Sequence, residues 1–112
     1  MKSIKLNKID VADIEVLQVE LNYFAGCQSL MLDATKKDYF DKILLVDISQ
    51  KLFYSFRNKI ERTSRHGANL ILTASESCIL LMCCNLTRNR SDHQKHVVSK
   101  IGALLHEQLI NI

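Results

Sequence analysis

The sequence predicts a mainly α-helical domain, a four-helix bundle carrying a short two-stranded β element in the order β-α-α-β-α-α. Three observations lead there. The chain has 112 residues with no Pro and only three Gly, so few positions interrupt a helix. Two segments open with S/T-x-x-E/Q capping boxes, Thr73-Ala-Ser-Glu76 and Ser91-Asp-His-Gln94. Four stretches repeat apolar residues at helical spacing. The length fits one domain, residues 1–112, with one core.

The most apolar stretch, Leu70 to Leu86, is the one around which the other elements are expected to fold. Its capping box at Thr73 starts a helix that runs through Cys78-Ile-Leu-Leu-Met-Cys-Cys84 without a polar break. A helix apolar on all sides is expected to be buried on most of them. The uncharged span Ser77–Thr87 falls well short of the roughly 20 residues that cross a bilayer. Ahead of it, Asn69-Leu-Ile-Leu72 follows Gly67 and predicts a short strand. The competing reading is a hairpin of LILT and CILLMCC around ASES.

At the N-terminus, Ser3 to Asp10 alternates apolar and polar residues as an edge strand does, and its lysines discourage stray pairing. Asp10 is placed to cap a helix from about Val11 to Asp33, with Asp13 in its first turn. That helix bears two apolar stripes. Ile14, Leu17, Leu21, Phe24 and Met31 form one, and Val16, Val19, Tyr23, Cys27 and Leu30 form the other, roughly opposite. Glu20 lies between them, as a surface charge at the edge of a contact or as a buried acid paired with Arg or Lys. Thr35-Lys-Lys-Asp38 resembles a further capping signal, opening a helix to about Thr63, some 28 residues or about 42 Å. Its stripe is Leu45, Ile48, Leu52 and Phe56, widened by Phe53 and Ile60. Gly67 supplies a left-handed stop. The last helix, about Asp92 to Asn111, places Val97, Val98, Ile101, Leu105, Leu109 and Ile112 on one side.

Charge is uneven. Residues 1–56 balance to −1 and residues 57–112 to +4, with all four His in the second half. No continuous apolar region follows Met1, so no export signal is expected. Four Cys, two of them adjacent, do not form a disulfide framework, and reduced thiols in the cytoplasm are expected. The lack of Pro and Trp, with abundant Asn, Ile, Lys and Ser, suggests an AT-rich bacterial, phage or mobile-element source.

Catalytic signatures are weak. Cys83-Cys84 with His93-x-x-His96 is the best metal candidate, but adjacent Cys diverge by about 100° on a helix. A thiolate in so apolar a segment is disfavoured. The isolated glycines at 26, 67 and 102 make no phosphate loop. The expectation is therefore no enzyme, no metal, no cofactor and no membrane association. The first functional reading is a small interaction protein, a regulator, inhibitor or assembly component. It would associate with itself or another protein through the second stripe of the first helix, Val16, Val19, Tyr23, Cys27 and Leu30, together with Glu20 at its edge. The alternative reading is nucleic-acid or acidic-partner binding by Arg57, Arg62, Arg65, Arg88, Arg90, Lys95 and Lys100. No aromatic residues interleave those charges to stack bases.

Overall fold

A computed structural model of the chain describes residues 2–62 and 67–112. The elements are β1 (Ile4–Ile9), α1 (Val11–Leu30), α2 (Tyr39–Arg62), β2 (Ala68–Leu72), α3 (Ala74–Cys84) and α4 (Asp92–Ile110). This is the β-α-α-β-α-α order the sequence predicts. Residues 74–84 are helical, not the second strand of a hairpin.

β1 and β2 pair antiparallel, Ile4 opposite Leu72 and Leu6 opposite Leu70. Between Leu6 and Ile9 the register shifts, so that Asn7 and Lys8 together face Asn69. Lys8 takes φ 54°, and its N–H donates to the Asn69 side chain at 3.0 Å. The bulge has a purpose visible in the sequence. Apolar residues stand at 4, 6 and 9, out of phase for a regular strand, and the extra residue turns Ile9 back into the core. Gln108 of α4 bonds the outer edge of β1, accepting from the Lys5 N–H at 3.0 Å and donating to its carbonyl at 2.8 Å. A helix side chain thereby blunts an open strand edge.

Gly67 has φ +86°, the left-handed conformation expected of it. A β-carbon there would stand 3.0 Å from the Ile9 carbonyl oxygen, against the bulged strand. Gly67→Ala combines a left-handed penalty with a backbone clash. It is expected to cost about 1–3 kcal/mol, read as a lower urea midpoint at unchanged slope. The predicted extension of α2 to Thr63 lies outside the described residues, as do Arg65 and His66.

Both capping boxes form. The Thr73 hydroxyl accepts from the Glu76 N–H at 3.1 Å while Glu76 accepts from the Thr73 N–H at 2.8 Å. Ser91 and Gln94 repeat the exchange at 3.2 and 2.9 Å. Elsewhere the helix ends differ from expectation. Asp10 occupies the N-cap position of α1 with extended backbone, but its side chain makes no capping bond. α1 stops at Leu30, not Asp33, as its last N–H groups tighten to i→i+3 bonds, Met31 to Gln28 and Leu32 to Ser29. α2 starts at Tyr39, not at Thr35. The Thr35 hydroxyl and N–H both donate to the Asp33 carboxylate, at 2.7 and 2.9 Å, so a local turn consumes the side chain that would have capped.

One hydrophobic cluster takes residues from every element. Its centre is α1, whose Ile14, Leu17, Leu21 and Phe24 are fully enclosed. The fifth member of that predicted stripe, Met31, is exposed past the helix end. α3 is not buried on most sides. Ile79, Leu80, Cys83 and Cys84 are buried, whereas Cys78 and Met82 face solvent. The reason is position: α3 packs chiefly on α4 and touches α2 and α1 more lightly, leaving a flank uncovered.

Candidate interaction surfaces

The polar centre of the fold is Glu20. Its neighbours on α1, Leu17 and Leu21, point into the core, and the helical turn carries Glu20 in beside them with no exposed side-chain area. The connection between α3 and α4 returns two arginines to it. Arg90 grips the carboxylate with two N–H groups, at 3.0 and 2.9 Å, and Arg88 adds a third bond at 3.0 Å. Arg90 also donates to the carbonyls of Cys83 (3.1 Å) and Leu86 (2.8 Å), at the frayed end of α3. Arg90 is therefore a clamp joining α1 to the C-terminus of α3. Arg88 sits over the Tyr23 ring, 4.5 Å from its centroid, and its Nε finds no acceptor among the described residues.

Burial pushes the Glu20 carboxyl up, but the hydrogen bonds and charges of Arg90 and Arg88 outweigh it and hold it below its ordinary 4.5. A carboxyl depressed by folding stabilises the native state fully above its unfolded value. That contribution is lost as pH falls through the lower folded value. The difference in unfolding free energy between the wild type and Glu20→Gln is accordingly expected to be constant above about pH 5 and to shrink below pH 4.5. Urea melts across that range read it directly.

A second pairing links α1 to α4. Asp13, almost fully buried, accepts from the Lys100 ammonium at 2.8 Å, and His93 lies 3.9 Å away on the other carboxylate oxygen.

These contacts redistribute the residues singled out from sequence. Of the proposed α1 interface, Val16 and Glu20 are buried and unavailable to a partner, a correction forced by the return of Arg90. Val19, Tyr23 and Leu30 are exposed and Cys27 is half-buried, so the second stripe survives only in pieces. Of the basic group, Arg88, Arg90 and Lys100 turn their charge onto Glu20 and Asp13. Arg57 is exposed and stands 3.8 Å from Glu61. Arg62 and Lys95 are exposed, and Arg65 lies outside the described residues. The thiols of Cys83 and Cys84 are pushed up by burial first, with the Glu20 charge adding to it, Cys84 to about 12. Both are therefore protonated and poor nucleophiles at neutral pH. Among the described residues no group of three or more His, Cys, Asp or Glu is arranged to hold a metal ion.

A further apolar surface lies on α2, away from the α1 stripe that the sequence singles out. α1 and α2 run antiparallel: Gln18 bonds the Phe53 carbonyl at 3.2 Å, and a cleft of about 370 Å³ brings Asn22, Ala25 and Ser29 beside Ser49, Gln50 and Phe53. Continued along the helices, that register sets Leu30, the end of α1, level with the turn from Asp41 to Leu45. α2 begins earlier, at Tyr39, so its start overhangs its partner. Between Tyr39 and Ile48, seven of ten residues are apolar and none is buried. Phe40 is 75% exposed and Leu44 57%. Leu30, Met31 and Leu32 add to this surface at the tip of the helical pair. On the other side, Leu45 and Ile48 line an apolar groove of about 480 Å³ with Cys78, Ile79, Met82 and Leu109.

No helix among the described residues is long and apolar enough to cross a membrane. Comparison with protein-family models, with curated proteins and with solved structures finds no match to this chain.

Proposed function

We propose that this chain is a non-enzymatic interaction protein that associates with itself or with a protein partner through an apolar helix surface. A regulator, inhibitor or assembly component would act in this way. The surface is the first half of α2 with the tip of the α1–α2 pair, and α1 contributes less than its two stripes suggest. One observation carries the reading: ten consecutive α2 residues, Tyr39 to Ile48, are mostly apolar and none is buried. Phe40, Ile43 and Leu44 are exposed and Tyr39, Leu45, Val46 and Ile48 only half-buried, and apolar area left in water in this way marks contact sites. Its neighbourhood is polar but not strongly charged, with Asp33, Asp38 and Asp41 set against Lys36, Lys37 and Lys42. That suits a protein surface better than a polyanion. The nucleic-acid alternative loses ground because three of its seven cations are spent on Glu20 and Asp13.

The test compares the wild type with Phe40→Asp by sedimentation equilibrium and by recovery of partners from the native cell. Phe40 is exposed, so the substitution is expected to leave the melting curve within about 0.5 kcal/mol. Loss of self-association or of a specific partner in the variant supports the reading. A monomer that recovers no partner, or a variant that behaves as the wild type in both assays, removes it.

A further inference from the structure

The outward face of α2 carries more than apolar surplus. Phe40, Leu44, Asp47, Lys51 and Tyr54 recur at intervals of four, three, four and three, the spacing of a coiled-coil seam. None of the five is buried: Phe40, Leu44 and Tyr54 are 75, 57 and 61% exposed, and the Lys51 and Asp47 side chains 75 and 52%. Leu52 and Phe56, which anchor the helix in the core, lie on its opposite side. The seam spans about 21 Å of helix from Phe40 to Tyr54 at 1.5 Å per residue. Nothing among the described residues covers it.

Resting on the reading above, we propose that the occupant of this seam is a second copy of the chain, with the two α2 helices packed antiparallel about a two-fold axis level with Ser49. The charge pattern selects this arrangement. A parallel pair in register would set Asp47 against Asp47 and Lys51 against Lys51. The antiparallel pair centred at Ser49 sets each Asp47 against the partner's Lys51, and each Leu44 against the partner's Tyr54. Within one chain Asp47 and Lys51 already form an ion pair at 2.9 Å. Association trades it for two such pairs across the axis, in the surroundings of four apolar side chains. A polar pair in the middle of a seam fixes register and orientation at a cost in affinity. The dimer is therefore weak, specific and sensitive to salt. α1 packs on an adjoining flank of α2 through Phe53 and Ile60, and of the five seam residues only Tyr54 borders the cleft between the two helices.

Sedimentation equilibrium over a wide concentration range tests this. Asp47→Lys alone and Lys51→Asp alone each create two like-charge encounters and are expected to raise the dimer dissociation constant about tenfold or more. The double exchange Asp47→Lys with Lys51→Asp restores both encounters and returns the constant to near the wild-type value. An equimolar mixture of the two single variants forms a heterodimer where neither forms a homodimer. Both positions of exchange are on the surface, so circular dichroism melts of the variants overlay the wild type. A wild type that stays monomeric at high micromolar concentration overturns the proposal, as does a dimer indifferent to both reversals. If that monomer still recovers a partner that Phe40→Asp loses, only the second copy is excluded and the broader reading stands.

Discussion

Replacing Glu20 by alanine is expected to lower the unfolding free energy by about 3–5 kcal/mol, a large part of the stability of a domain this size. The loss does not measure the worth of the ion pairs. It arises because Arg90, with 8% of its side chain exposed, is left as a buried cation without its acid, and Arg88 is nearly as enclosed. Arg90→Ala is expected to cost more than Arg88→Ala. It strands the carboxylate and also strips donors from the Cys83 and Leu86 carbonyls, whereas Arg88 makes a single bond to Glu20 and leaves its Nε unpaired. Removing acid and base together, as Glu20→Leu with Arg90→Met, recovers only part of the loss, because the Leu86 carbonyl loses the Arg90 donor and the Cys83 carbonyl keeps only backbone N–H bonds. Guanidinium melts of the four variants order these effects.

Phe56→Ala is expected to cost about 3–5 kcal/mol, whereas Leu44→Ala on the same helix stays within about 0.5 kcal/mol. α2 is 24 residues long, yet Ser49, Leu52 and Phe56 are its only fully buried residues among those described. Two large side chains, each 1% exposed, are the main anchors of a helix that packs on α1 and, more lightly, on α3. Removing Phe56 opens a cavity at the better-anchored end and frees the other. The contrast between two apolar residues twelve positions apart separates the part of α2 that builds the core from the part that does not.

The sequence shows much of this fold where the signal is local. Thr73 with Glu76 and Ser91 with Gln94 need only their own backbone, and both boxes form as read. The inner stripe of α1 was legible for the same reason, since four of its members point one way regardless of what they meet. Thr35 misled because Asp33, two residues upstream, competes for its hydroxyl. The bulge at Asn7-Lys8 was present in the spacing of Ile4, Leu6 and Ile9, an apolar phase break that a simple alternation overlooks. Glu20 could not be assigned from α1 alone. Its partner lies 70 residues away, and only the return of Arg90 decides that this face of α1 is interior. The overhang of α2 escaped for a related reason. Leu45, Ile48, Leu52 and Phe56 look equivalent on a helical wheel, and where along that line the neighbour ends is set by the length of α1.

Amide hydrogen exchange along α2, measured at two protein concentrations, tests the central claim most directly. If the first half of α2 is the contact surface of a self-associating chain, the amides from Ile43 to Lys51 exchange slowly in concentrated solution and markedly faster on dilution, while those near Phe56 do not change. Exchange rates for Ile43 to Lys51 that are fast and independent of concentration, with or without a recovered partner, would contradict it.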